Sequence, residues 1–553
     1  MWASVSSFGG LLARFAASSG ASLIGFMASG AGAIKRTIQS RLRDEVSVFD
    51  FMTEAEISDV QAETYTLDVQ PAVQAAINFS AAANLLLKAP GGGYRLGDSV
   101  SVVSNLAMIG VGKKTNFRGV FATAKNRIFT SSDTVQQSNI LLQDFAIDRT
   151  DANSQHGALF GGVDGFTVRG IYVIGSPAPT VTSGAIGFSP FDTFADIESR
   201  NVLVTGCHIE KCNNFGIAFG HVKNGIIKGC TFIDCFREAI GIEGYDSAPG
   251  TAPEKGNENI TVIGNTLIMT ENSNRFGGSD GPAMLIGGST SEGYVRNVVV
   301  AGNTIIGSEV VSGQAYNGIM VNGGATLWTE DVTIIGNTIK NMNGRGIAVG
   351  SAGALTKNVI IKGNKIKDVN LGGNASPSGS AIGLRSTSGC IVRGNAVNGT
   401  THTHIVEETS GADSNSIHGN DGDDGTSGRI VLVGANSSAS EPKTYQSIGP
   451  GVMYLETVTI ADESTYTFRA RGANNRALYF LSTSFGDTTQ GIFSVNGTGA
   501  PLDLASGAAV SYGATNPDIL GAVNVWPASS TTISIKNRLG SARQFTLASI
   551  ATQ

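Results

Sequence analysis

The stretch NVIIKGNKIKD at 358–368 is one copy of a unit that the chain repeats. EDVTIIGNTIKN at 330–341, RNVVVAGNTIIG at 296–307 and ENITVIGNTLIM at 258–269 follow the same plan. A polar residue leads a β-branched run, then comes Gly-Asn and a second apolar pair. Aligned on the glycine, the units carry Gly206-Cys207, Gly229-Cys230, Gly264-Asn265, Gly302-Asn303, Gly336-Asn337, Gly363-Asn364, Gly394-Asn395 and Gly419-Asn420. The intervals between those glycines are 23, 35, 38, 34, 27, 31 and 25 residues. A helical repeat would hold a tighter period and be rich in Leu, Ala and Glu. Here a third apolar run usually closes the unit: IAFG at 217–220, IGIE at 240–243, MLIGG at 284–288, IMVNG at 319–323, IAVG at 347–350 and IGLR at 382–385.

Three short strands per unit, with length varying only in the turns, stack as parallel in-register strands about 4.8 Å apart. The backbone then coils into a parallel β-helix. Inward Val and Ile of each rung bury against the rungs above and below, so no rung is stable alone. The repeated Asn belongs at a corner, where its short amide suits αL geometry and bonds along the stack. Cys207 and Cys230 replace that Asn in two adjacent rungs, and Cys212 and Cys235 repeat the same offset. These read as two ladders of small buried thiols; structural zinc sites use tighter spacing. Five cysteines, an odd number in a long chain, do not suggest a disulfide framework.

SNLAMIGVG (104–112), SNILLQDFAID (138–148) and VDGFTVRGIYVIG (163–175) read as degenerate early rungs, so the coil is expected over 99–424. After the DGDDGTSG break and a linker at 425–449, ETVTIADESTYTFRARG and TTISIKNRLGSARQFTLASI alternate apolar and polar residues. That pattern predicts an antiparallel β-sandwich over 450–553. Ahead of the coil, 51–98 form a lead-in with a helix from about Pro71 that caps the exposed edge. Residues 1–50 hold a Gly-rich element, a short amphipathic helix from about Ile34 to Arg43 and a strand VSVFDF. The opening lacks an early basic cluster, and Gly and Arg14 break its apolar run, which is unlike a leader peptide. Only 15% of residues are charged and the net charge is −6, which argues against a nucleic-acid partner held by a general basic field. No apolar stretch reaches the length of a membrane span.

GASLIGF (20–26), GAGAIKRTIQSRLRDEVSVFDF (30–51), VQAAINFSAA (73–82) and PGGGYRLG (90–97) together resemble tailed-bacteriophage tailspikes with a pectate-lyase-like β-helix. The resemblance implies a right-handed, single-stranded coil in a homotrimer. Such a protein binds, and often depolymerises, capsular polysaccharide, exopolysaccharide or lipopolysaccharide at the host surface. The segment up to about residue 50 would join a phage tail or baseplate protein. About nineteen residues precede GASLIGF, so docking is expected through a short apolar segment carrying Trp2, Phe8, Leu11, Leu12 and Phe15. The 450–553 region would serve trimerisation or carbohydrate binding. MTEAEISDVQAETYTLD (52–68) stands where the family has a Gly-Asp-Gly and Asp-Asp-Thr stretch, and reads as a variant lead-in.

Glycoside hydrolysis calls for two carboxylates; a lyase needs a base and a group to steady the developing charge. The rung TFIDCFREAIGIEGYD (231–246) carries Arg237, Glu238, Glu243 and Asp246 where its predecessor has none of them: Phe215 aligns with Glu238 and Gly220 with Glu243. On an extended strand Glu238 and Glu243 are roughly 16 Å apart, too far to act directly as a pair. The expected pairs are therefore Glu238 as acid with Asp280 as base or nucleophile, and Glu243 with Asp246. Arg237 and Arg345 suit an anionic sugar. Tyr245, Tyr316 and Trp328 offer rings for stacking, alongside Phe276. His156 is a candidate lyase base, and THTHIVEE (401–408) a candidate cation or late-rung site through His402, His404, Glu407 and Glu408. No cofactor or metal is called for by the leading pattern. Two other functions fit the same residues: a spike that binds without cutting, and a secreted polysaccharide lyase or epimerase.

Overall fold

A computed structural model of the chain describes residues 13–14, 24–27, 29 and 31–551, apart from 43, 123–124, 133, 152, 176–183, 189–196, 213, 236–237, 245–254, 270–280, 288–292, 308–316, 324–327, 352–355, 372–379, 400–403, 409–411, 423–429, 432–436, 441–444, 449–450, 470–476, 484–489, 496–500, 507–509, 514, 521, 530–531 and 542. Trp2, Phe8, Leu11, Leu12 and Phe15 lie outside that set.

One rung shows how the repeat folds. Strand Val222–Lys228 ends at Gly229, strand Thr231–Ile233 follows, and Glu238–Ile242 closes the turn of the coil. Each strand pairs in parallel with its counterparts in the neighbouring rungs. The register stacks like on like. Val204, Ile227, Val262, Val300, Ile334 and Ile361 form one inward column, and Ile217, Ile240, Met284, Ile319, Ile347 and Ile382 another. All of these are buried. β-branched side chains recur there because they fill a pleated surface flanked by identical neighbours.

The corners divide their labour differently from the sequence expectation. It is the glycine that takes the left-handed conformation, with φ between 60° and 64° at Gly206, Gly229, Gly264, Gly302, Gly336, Gly363, Gly394 and Gly419. At most of these a Cβ would meet nothing within 4 Å, so glycine is selected by φ and not by space. The following Asn is buried and points inward. Asn265, Asn303, Asn337, Asn364, Asn395 and Asn420 form a ladder along the stack. Each of the first five donates its amide, at 2.8–3.0 Å, to the side-chain oxygen of the next. That same oxygen also accepts the backbone N–H of the preceding Asn. Cys207 and Cys230 continue the column below, and the backbone N–H of Cys230 donates to Asn265. All five cysteines are free and buried. Arg149, itself fully buried, donates to the Cys212 sulfur at 3.2 Å.

A second, exposed ladder runs five residues before each corner glycine. Asn201, Asn224, Asn259 and Asn297 there do adopt positive φ, and Asn224 and Asn259 each donate to the previous member at 3.2 and 3.1 Å. Asn tolerates αL because its amide bonds locally.

Both ends of the coil are covered. Strand Glu45–Ser47 pairs with Leu86–Lys88, which pairs with Ala107–Gly119. Of the expected strand VSVFDF, only the start extends; Ser47 then caps a 3₁₀ turn, Val48–Phe51, in a reciprocal box with Asp50. The helix expected from Ile34 covers Ile38–Leu42, because Arg36–Thr37 pairs instead with Gly25–Phe26. Thr53 and Glu56 box the start of a helix Glu54–Ala62 within the variant lead-in. Helix Gln70–Ala83 buries Val73, Ala76 and Ile77 against the first rungs. At the far end Ile430–Val431 and Ser438–Ser440 pair in parallel with Gly451–Ile460 and Thr465–Arg469. Those two strands in turn belong to separate antiparallel sheets. Tyr479 stacks on its cross-strand partner Phe493, and Phe493 meets Tyr512 of the other sheet.

Candidate functional site: two carboxylates above Gly241

The strand that closes each rung presents three outward positions, and the register stacks them into three columns. The middle column contains Ala218, Gly241, Leu285, Met320, Ala348 and Gly383. One flank contains His156, Gly184, Phe215, Glu238, Asn317 and Arg345. The other contains Gly220, Glu243, Gly287, Asn322, Gly350, Arg385 and Glu408, each bonded from its backbone N–H to the preceding rung. A strip of small and apolar residues thus runs along the outside of this sheet between the two flanks.

Gly241 makes one place on that strip different. A Cβ built there would lie 2.9 Å from Glu238 Oε2 and 3.0 Å from Glu243 Oε1. The two oxygens therefore lie within about 6 Å of each other, inside the range in which paired carboxyls act on one glycosidic bond. This corrects the expectation of 16 Å. The strand does separate the two backbones, but both side chains lean inward over a residue that has none. Both glutamates are buried, at 2% and 9% exposure. Asn257, fully buried, fixes the turn behind them: its amide donates to the carbonyls of Glu243 (2.8 Å) and Phe219 (2.9 Å), and its oxygen accepts from Val222 N–H.

Asp280, Asp246, Arg237, Tyr245 and Tyr316, with Phe276 and His402, lie outside the described residues. His156 lies three rungs from Glu238 in the same column, about 14 Å along the axis. Its Nδ1 accepts from Gly184 N–H at 2.8 Å and its ring stacks on Phe215, reaching across the bare Gly184. Burial, with Arg149 and Arg127 nearby, pushes its pKa down to about 3. A neutral imidazole of that kind is a weak base. Arg345 lies three rungs from Glu238 on the other side, paired with Glu408 at 2.5 Å. Trp328, 39% exposed, sits at the corner that follows the Glu243 column, with Lys357 Nζ 4.5 Å above its ring. Tyr294, its neighbour in the preceding rung, was not anticipated; Arg296 lies 4.5 Å over it. In the THTHIVEE segment, Glu407 turns inward and accepts from Asn415 at 2.9 Å, whereas Glu408 lies over the outer strip at Gly383. Among the described residues no group of three or more His, Cys, Asp or Glu is arranged to hold a metal ion. No helix there is long and apolar enough to cross a membrane.

Comparison with known proteins agrees with this architecture. The family model for the right-handed beta helix region matches residues 162–315. No curated protein matches the sequence. Among solved structures, the tailspike of Escherichia coli bacteriophage HK620 in complex with pentasaccharide superposes at TM-score 0.55, with 12% identity over 98% of this chain and 99% of that one. A mutant of the same tailspike in complex with hexasaccharide gives 0.57 and 13% over the same shares. At such identity these likenesses show the fold alone: a right-handed parallel β-helix, as in those tailspike structures.

Proposed function

We propose that this chain is a bacteriophage tailspike that recognises and depolymerises a bacterial surface polysaccharide. The observation that carries the reading is the meeting of Glu238 and Glu243 over Gly241, on a strip of small residues that we take as the floor of a glycan trough. Hydrolysis needs one carboxyl to protonate the glycosidic oxygen and a second carboxylate to attack the anomeric carbon or activate water. Glu238 takes the first role and Glu243 the second, with Asp280 and Asp246, outside the described residues, as further candidate carboxylates. The trough supplies length for a polymer, and Trp328 a ring on which a sugar can stack. A virion location and attachment of residues 1–50 to a tail or baseplate protein follow from the same reading. So does assembly as a homotrimer. Ile226 at 40% and Ile263 at 38% exposure, on the outer face of another sheet, are apolar groups such an assembly would cover. Residues 99–424 are assigned the glycan chemistry and 450–553 trimerisation or sugar binding.

The test is to incubate the purified chain with capsular polysaccharide and lipopolysaccharide from candidate hosts and to measure released oligosaccharides. Release without a new carbon–carbon double bond in the product supports hydrolysis; an unsaturated product moves the chemistry to elimination. Binding without release from any polymer leaves a receptor-binding spike and refutes the catalytic role.

A further inference from the structure

Four rungs beyond Gly241, about 19 Å along the same column, the floor is again glycine. At Gly383 a Cβ would sit 2.7 Å from Arg345 Nε and 2.6 Å from Glu408 Oε1. Arg345 therefore lies flat across the floor and reaches Glu408, two rungs away on the opposite flank. Between them stands Arg385, in the column of Glu408 and one rung before it. Its guanidinium is close enough to act on the charge of both Arg345 and Glu408. Yet Arg385 Nε is buried with no hydrogen-bond partner, and Arg385 makes no ion pair with any described residue.

Among the described residues, Glu408 is the carboxylate that faces Arg345 on this floor, and Glu407 turns into the core. A buried N–H without an acceptor is costly. An external anion on this floor would supply the acceptor that Arg385 Nε lacks. A planar carboxylate or a phosphate matches the fork of an arginine. The opposite stretch of the trough carries the carboxylate pair Glu238 and Glu243, so the trough is polarised along its length. A polymer bearing an acidic group would be held with that group toward Gly383 and away from Gly241.

We infer that Arg385 and Arg345, above Gly383, form a subsite for an anionic substituent of the glycan, a carboxylate or phosphate on a sugar four rungs from the carboxylate pair. The inference rests on the proposed glycan-binding role of the trough and deepens it.

Saturation-transfer NMR from the full chain to free sugars tests the site without requiring turnover. Sodium glucuronate and glucose 6-phosphate are the anionic probes, and glucose the neutral one. The site predicts transfer to one or both acids, weak transfer to glucose, and affinity for the acids reduced roughly tenfold by Arg385→Gln. Arg385→Lys keeps the charge and loses less. Which acid binds distinguishes a carboxylate from a phosphate substituent. Equal transfer to all three sugars, no transfer to either acid, or unchanged binding in Arg385→Gln overturns the site. Should Arg385→Gln not fold, Glu408→Gln carries the test. It removes the resident carboxylate, so the acids bind more tightly; unchanged or weaker binding overturns the subsite. A chain that cleaves a polymer and its carboxyl-reduced, dephosphorylated form equally well also overturns the subsite and leaves the catalytic reading standing. A chain that binds the acids but cleaves nothing does the reverse.

Discussion

Gly241→Ala separates chemistry from folding in one substitution. Gly241 is not among the residues at positive φ, so an L side chain meets no backbone strain there. Its register neighbours Ala218 and Leu285 already carry a Cβ in the same column. The new methyl would come 2.9 and 3.0 Å from two carboxylate oxygens, closer than carbon and oxygen normally approach. Both oxygens sit at the ends of flexible side chains, so they retreat by a few tenths of an ångström each. Folding loses little, and lowered entropy of the unfolded chain offsets it by about 0.4–1 kcal/mol. Catalysis is less forgiving: a misplacement of about 1 Å costs on the order of a hundredfold in rate. The expected result is unchanged or slightly raised resistance to thermal unfolding, with oligosaccharide release slowed by about tenfold to a hundredfold. Release within twofold of wild type, from a protein that folds normally, would refute the claim that the bare floor at Gly241 is there for the two glutamates.

Asn337→Ala should destabilise the coil by about 2–4 kcal/mol, because the amide is fully buried and serves the backbone N–H of Asn303, the carbonyl of Val300 and two ladder partners; denaturant unfolding measures it. Gly336→Ala, with φ at 64° and open space around its Cβ, should cost only about 1–2 kcal/mol. The depressed pKa of His156 makes stability depend on acid. Above about pH 6.5 the imidazole is neutral in both states; between that and about 3 the unfolded chain takes up a proton that the folded chain refuses. Stability from this group is thus complete above pH 6.5 and is lost toward pH 3, at up to about 1.4 kcal/mol per pH unit. His156→Gln should flatten the fall in unfolding midpoint between pH 7 and pH 4, and an identical slope would show that His156 is not responsible.

The rungs were readable because stacking imposes the same demand on each unit: Val and Ile inward, glycine at the corner, an amide after it. The match of Phe215 with Glu238 followed from the 23-residue offset alone and holds in the register. Side-chain reach was harder to read. Counting residues along the strand set Glu238 and Glu243 far apart, and the signal that reverses this is a missing side chain, Gly241 where neighbouring rungs have Ala218, Leu285 and Met320. Gly383 marks the Arg345–Glu408 pair in the same way. A Gly-Asn corner leaves the left-handed position ambiguous in sequence, since both residue types tolerate αL; glycine takes it. The true αL asparagines, five residues earlier at 201, 224, 259 and 297, recur with equal regularity. The helix Glu54–Ala62 is legible in Thr53 and Glu56, a capping pair that carries no repeat signal.

The most direct measurement compares oligosaccharide release by wild type, Glu238→Gln and Glu243→Gln from a polysaccharide the wild type cuts, with binding of the intact polymer followed in parallel. Two carboxyls acting on one bond predict that each variant loses about two to four orders of magnitude in release while still binding the polymer. If either variant cuts at the wild-type rate, the pair above Gly241 is not the catalytic centre.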